Sequence, residues 1–127
     1  MSKHATIDWE WLFALRELQE PEEGDLVSDV IRLFMATSEE RVARARAAVA
    51  RGDARAVRFE AHALRGSAGI IGAAALRTAA SEVETAAEAG DLPRLTRCVE
   101  AMARATLDVQ EALATVLEPG ATLQGPA

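Results

Sequence analysis

The stretch LPRLTRCVEAMARATLDVQEALATVL, from Leu92 to Leu117, decides the fold. Leu92, Leu95, Val99, Met102, Thr106, Val109, Leu113 and Val116 recur at alternating steps of three and four. That spacing puts eight side chains on one stripe of a helix and leaves charged residues on the other side, as the seam of an antiparallel bundle requires. Upstream, Gly90 followed by Asp91 reads as a helix stop and then a new N-cap.

Four more helices are legible on the same grounds. One spans about Ala74 to Ala89, with Leu76, Ala79, Ala80, Val83 and Ala87 inward. One spans Ala54 to Ile71 and ends near Gly72, with a core stripe of Val57, Ala61, Leu64, Ala68 and Ile71. Before it, Arg51-Gly52-Asp53 repeats the stop-then-cap signal. A long helix is expected from a cap at Asp25 to about Arg51, its stripe read through Val27, Val30, Phe34, Thr37, Arg41, Ala45 and Ala48. A first helix, about Ile7 to Leu18, carries Trp9, Leu12, Phe13 and Leu15, with Asp8 suited to its N-terminus and Pro21 and Gly24 ending it. Short connections between long amphipathic helices make antiparallel neighbours. The expectation is an all-α fold: an antiparallel four-helix bundle with an additional N-terminal helix, over residues 1–118, and a flexible C-terminal tail over 119–127.

Composition agrees with this and excludes several functions. The chain has 127 residues, half of them hydrophobic, with 4% aromatics and no tyrosine, a mixture that favours helices over sheet. A single cysteine, Cys98, cannot form an internal disulfide, and no Cys/His cluster suits zinc. No apolar run is long enough to cross a membrane, and the N-terminus has no secretory pattern, so a cytoplasmic location is expected. The start at Met1 favours a stand-alone protein. A net charge of −6 speaks against nucleic acid as a partner. Seven arginines nevertheless fall between Arg41 and Arg65 against only Asp53 and Glu60. Most of them read as decoration of solvated helix faces; the alternative is that this region meets an acidic partner.

One segment does not serve the bundle: Arg58-Phe59-Glu60-Ala61-His62-Ala63-Leu64-Arg65-Gly66-Ser67-Ala68-Gly69. At about 100° per residue, His62 points about 140° from the centre of its helix's core stripe, toward solvent. Arg55, Arg58, Phe59, Arg65, Gly66 and Gly69 share that outer face. Each glycine costs about 1 kcal/mol against alanine in an exposed helix interior. Their presence in an alanine-rich chain implies that something must approach the helix beside the imidazole. Gly66, one turn beyond His62, uncovers the ring; Phe59 and the stems of Arg58 and Arg65 give a rim that is apolar and positive. An imidazole is a competent nucleophile near neutral pH. With no acid, base or metal ligand nearby in sequence to complete a hydrolytic site, an activated phosphoryl group brought by a partner is the simplest electrophile. Glu82, Glu84 and Glu88 read as a solvated face, Ser67 as an in-helix hydroxyl, Trp9 and Trp11 as packing residues, and Gly72 as a helix end.

The segment His62-Ala63-Leu64-Arg65-Gly66-Ser67, with Gly72-Ala73 downstream, resembles the signature of histidine-containing phosphotransfer (HPt) domains, His-x-Leu-Lys-Gly-Ser followed by a glycine and a small residue. The resemblance covers most of the chain, from the first helix to Leu117, and departs at Arg65, where the family usually has lysine. It implies a histidine phosphotransfer protein of a two-component phosphorelay. His62 would accept a phosphoryl group from a receiver-domain aspartyl phosphate and pass it to another receiver. Such a protein is a stoichiometric phosphocarrier, not a turnover enzyme. By the same resemblance Arg65 would steady the phosphoryl oxygens and Gly66 would permit close approach. No metal or other cofactor is implied on the chain itself, because Mg²⁺ belongs to the receiver. The partners implied are response-regulator receiver domains and a hybrid sensor histidine kinase, met by a monomer. Arg58, Phe59 and Gly69 would border the contact. Ile31 and Met35 fall off the core stripe as read, and either join an apolar docking patch or lie under the first helix. The alternative function is a non-phosphorylated helical adaptor that binds or sequesters a signalling partner.

Overall fold

A computed structural model describes residues 6–18 and 26–117, with the side chains of Val116 and Leu117 excepted. Five helices are present among the described residues: α1 Trp9–Glu17, α2 Leu26–Ala50, α3 Ala54–Ile71, α4 Ala74–Ala89 and α5 Leu92–Leu117. There is no strand among them. The expected cap at Asp25, the breakers Pro21 and Gly24, and the tail at 119–127 lie outside the described residues.

The punctuation of the sequence acts as local chemistry dictates. Asp8 caps α1 by accepting from Trp11 N–H, Asp53 caps α3 by accepting from Ala56 N–H, and Asp91 accepts from Arg94 N–H at 3.1 Å. Each satisfies an N–H that a helix start leaves without a partner. Helix α3 ends at Gly72, whose φ of 74° is left-handed, and the next N–H, of Ala73, closes back on Ala68 O at 2.8 Å.

The long helices close a ring in which α3 packs on α2 and α4, and α5 packs on α4 and α2. Paired side chains report the antiparallel register. Arg46 meets Glu100 and Ser38 meets Gln110 across α2 and α5, while Arg58 meets Glu88 and His62 meets Glu84 across α3 and α4. As the number rises on one helix it falls on the other. The four-helix bundle is therefore as expected, with α1 set against α2.

Alanines fill the gaps between larger residues in the core. Ala45, Ala48, Ala61, Ala68, Ala80 and Ala86 are fully buried between larger Leu76, Leu95, Met102 and Leu113. The stripe read for α3 is buried at every position, and on α4 only Ala79 is half-exposed. On α5, Leu92 is exposed at the first turn, while Leu95 through Leu113 are buried as expected.

The reading of α2 needs correction. Its buried face runs through Val27, Ile31, Phe34, Ser38, Val42, Ala45 and Ala48, about one residue out of phase with the expected stripe in its middle. Val30 is exposed and Arg41 turns to the flank. The cause is a polar core residue. Ser38 is fully buried, and its hydroxyl accepts from Gln110 Nε2–H at 2.8 Å, which makes its burial tolerable. Ile31 is consequently core, with 0% exposure, and Met35 is half-buried against the same cluster. Neither is part of an exposed patch.

Helix α1 is tied to the end of α3. Asp8 N–H donates to Gly72 O at 2.8 Å, and Trp11 Nε1–H donates to Ile70 O at 2.9 Å. Ile7 and Leu12 are buried beneath this junction.

Candidate functional site

Helix α3 carries His62 outward near its middle, with 68% of the side chain exposed. The inward face of the same turns, Ala61 and Leu64, is fully buried, so the ring's direction follows from the helix period and the packing below it. Arg58, Phe59, Gly66, Gly69 and Ile70 are exposed around it, and Arg65 is half-buried. Phe59, at 68% exposure, is a large apolar ring left in water.

The two glycines have no internal explanation. Both sit in helical backbone without positive φ, and a Cβ on either would meet nothing within 4 Å. They are therefore not a packing surface for another helix of the chain. An alanine would fit at either site and would stabilise the helix by about 1 kcal/mol. What the glycines provide is bare backbone beside His62, open from outside. Gly69 also lines an open groove with Trp11, Arg77, Ser81 and Thr85. Gly72 differs, being a helix end pressed against α1.

The neighbouring helix supplies a residue that sequence reasoning misplaced. Glu84 is not on a solvated face: only 11% of its side chain is exposed, and its Oε2 lies 3.3 Å from His62 Nδ1. Glu88 is exposed and pairs with Arg58 at 3.1 Å. A signal for Glu84 existed. His62 and Glu84 stand equally far, in sequence, from Ala73 at the α3–α4 turn, and an antiparallel pair brings such positions side by side.

Arg65 completes the cluster. Its Nη2 lies 3.3 Å from His62 Nδ1, and its Nε lies 3.0 Å from Glu84 Oε1. The second contact is an ion pair only. The Nε–H is not aimed at the oxygen, and Oε1 is buried without a hydrogen-bond donor. His62 Nδ1 thus faces both an acceptor, Glu84, and a donor, Arg65, and can serve one at a time. When Nδ1 carries the proton and donates to the carboxylate, Nε2 presents a bare lone pair to solvent. In that tautomer the site is a nucleophile whose far side is held by a buried anion.

The arginine excess noted in the sequence is mostly answered inside the fold. Arg41 and Arg44 both grip the buried Glu60 at 3.1 Å, which locks α3 to α2 beside the histidine. Arg46, Arg51 and Arg58 pair with Glu100, Asp53 and Glu88. Besides Phe59 and Ile70 on α3, the large apolar residues exposed on α2 are Leu26, Val30 and Leu33. Their spacing sets them on one stripe, on the flank of α2 that carries Arg41 and Arg44 toward α3. Among the described residues, no group of three His, Cys, Asp or Glu side chains is placed to hold a metal ion, and no helix is long and apolar enough to cross a membrane.

Residues 29–118 match the Hpt domain family. Among solved structures, the chain is similar to the crystal structure of histidine-containing phosphotransfer protein B (HptB) from Pseudomonas aeruginosa PAO1. The two are 31% identical with a TM-score of 0.76, over 86% of this chain and 91% of that one. A search of curated proteins finds no match.

Proposed function

The chain belongs to the Hpt domain family, and on that premise we propose that His62 is the phosphoacceptor of a phosphorelay protein and that its Nε2 is the attacking atom. The observation that carries this reading is an exposed imidazole with a bare glycine one turn away and its Nδ1 edge against a buried carboxylate. The reaction balances simply. The Nε2 lone pair forms a bond to phosphorus as the acyl phosphate P–O bond of a receiver's aspartate breaks, leaving a free aspartate carboxylate. The ring gains positive charge, and Nδ1–H turned to Glu84 stabilises it. Reversal onto a second receiver completes the relay. The chain is then a stoichiometric carrier.

Positioning and electrostatics dominate phosphoryl transfer. The chain's share is therefore an aimed ring, an open approach at Gly66 and a cation at Arg65. Mg²⁺ belongs, in this proposal, to the receiver. The docking surface we assign comprises Phe59, Gly69 and Ile70 on α3, Arg58 at its edge, and Val30 and Leu33 on α2. The last two replace the buried Ile31 and the half-buried Met35. A receiver domain and a hybrid sensor histidine kinase are the partners, met in the cytoplasm by a monomer. The adaptor alternative has no observation of its own, because an adaptor requires neither an accessible imidazole nor exposed glycines. Transfer of labelled phosphate from a phosphorylated receiver, with His62→Gln as the control, tests the proposal.

A further inference from the structure

Of the seven arginines from Arg41 to Arg65, six are matched by a carboxylate of the chain. Arg55 is the exception. It is exposed, and among the described residues its guanidinium makes no hydrogen bond or ion pair. The chain has 20 acidic side chains against 14 arginines and lysines, so carboxylates are not scarce. The place is also unfavourable locally. Arg55 is the second residue of α3, whose first turn holds no acidic side chain. The positive end of the helix dipole disfavours a cation there and would favour an acid. A residue that breaks a local rule without internal compensation marks a place where function is expected.

Arg55 stands seven residues before His62, and Gly69 stands seven residues after it. Seven residues fall about 20° short of two turns, so the three share one face, with Arg55 about 10 Å along the axis from the histidine. The exposed Phe59 lies one turn beyond Arg55 and links it to the docking surface assigned above. The outer face of α3 therefore has a direction. A free cation stands at one end, the imidazole in the middle, and bare backbone opening into the groove beside Trp11 at the other.

We propose that Arg55 is a specificity-determining residue: it pairs with a carboxylate on the receiver, about two helical turns from the aspartyl phosphate, and so fixes which way round the receiver lies along α3. The apolar part of the docking surface carries no charge to set that direction. Its nearby cations are engaged within the chain, Arg58 by Glu88 and Arg65 by Glu84, and Arg55 is left for the partner. A receiver turned end for end would set its carboxylate over Gly69 and Ile70, with no cation of α3 to meet it. A receiver lacking that carboxylate would leave the guanidinium unpaired. Both mismatches discriminate against wrong partners. A charge at the rim of an interface acts chiefly on the association rate and its salt dependence.

The inference rests on His62 being the phosphoacceptor, and two phosphoryl donors separate the claims. The unsubstituted chain is compared with Arg55→Glu, Arg55→Lys and Arg104→Glu. The last makes the same change in net charge in the groove between α2 and α5, away from α3. The second-order rate of transfer from a phosphorylated receiver at low ionic strength is expected to fall roughly tenfold in Arg55→Glu, to stay within about twofold in Arg55→Lys, and to be unchanged in Arg104→Glu. The deficit of Arg55→Glu is expected to close in salt of about 1 M, where the screening length is about 3 Å. Phosphoramidate involves no receiver; its P–N bond breaks with loss of ammonia as the Nε2–P bond forms, and its rate is expected to be the same in all four proteins. The melting temperature of Arg55→Glu is expected to rise, because an acid suits the first turn of α3. Slower transfer in a more stable protein is a result that a merely structural arginine would not give. Receiver transfer to Arg55→Glu at the unsubstituted rate, or an equal loss in Arg104→Glu, would overturn the proposal while His62 still takes the label. A phosphoramidate deficit in Arg55→Glu would overturn it as well, since the residue would then act on the imidazole. No label on His62 from either donor would refute the functional reading, and this inference with it.

Discussion

A Cβ placed on Gly72 would meet Trp11 Cδ1 at 2.9 Å, closer than packed carbons tolerate. The same glycine has a left-handed φ of 74°, and its carbonyl accepts the Asp8 N–H. Backbone conformation and packing thus require glycine independently, and together they seat α1 on the end of α3. That junction lies three residues from Gly69 and closes one end of the groove beside the candidate site.

Gly72→Ala should therefore destabilise the fold by about 1–3 kcal/mol, the cost of a strained left-handed residue with a displaced neighbour. Trp11→Phe, which keeps most of the ring but loses the bond to Ile70 O, should cost only about 1 kcal/mol. Urea unfolding of both variants checks the ranking. Equal and negligible losses would mean that α1 is not held at this junction.

Gly66 should behave in the opposite sense. Because a Cβ there meets nothing, Gly66→Ala should raise stability by up to about 1 kcal/mol. Gly66→Leu should leave the fold intact and weaken receiver binding at least tenfold in titration calorimetry, since the bulk projects beside His62. Unchanged affinity for the leucine variant would refute the argument that bare backbone serves close approach.

The contrast between neighbours on α2 gives a third test. Leu33 is 64% exposed, whereas Ile31 is wholly buried. Leu33→Ser should lower receiver affinity with stability changed by less than about 0.5 kcal/mol, as for surface substitutions generally. Ile31→Ala should destabilise by about 2–5 kcal/mol, the range for truncating a core aliphatic side chain. Denaturation and binding measured on both variants check this; a Leu33 change that alters stability but not binding would remove α2 from the docking surface.

How far these residues were legible follows from what the sequence encodes locally. The bounds of α3 and α4 and the outward aim of His62 could be read because Gly72, Gly90 and the apolar periods act through the chain's own neighbours. The phase of α2 was lost because Ser38 is a polar residue in the core, and only Gln110, far along the chain, makes that burial affordable. Glu84 was missed for a related reason. A carboxylate beside Val83 looks solvated until the antiparallel partner puts His62 and Arg65 against it. Long-range pairing decides both cases, and the local pattern carries only the register of the α3–α4 turn.

The Arg46–Glu100 pair predicts a small pH effect. Hydrogen bonding to the Arg46 guanidinium, aided by its charge and opposed by slight burial, holds the Glu100 carboxyl below its ordinary pKa. The contact is bidentate, at 2.9 and 2.8 Å. A group whose folded pKa is lowered stabilises the fold above its unfolded pKa, and that contribution fades as pH falls through the folded value. Both side chains are about half exposed, so solvent limits the pair to about 0.2–1 kcal/mol. Glu100→Gln should lose this much near neutral pH and match the parent chain in strong acid, by denaturation at low ionic strength. A loss that persisted in acid would contradict the ion-pair origin.

The central claim is that His62 carries the phosphoryl group. The most direct measurement mixes the chain with a radiolabelled, phosphorylated receiver and follows the label, with His62→Gln alongside. Acid-labile, base-stable label on the unsubstituted chain, absent from His62→Gln with its circular dichroism unchanged, is the predicted result. Label of the same kind on the folded His62→Gln variant would contradict the account.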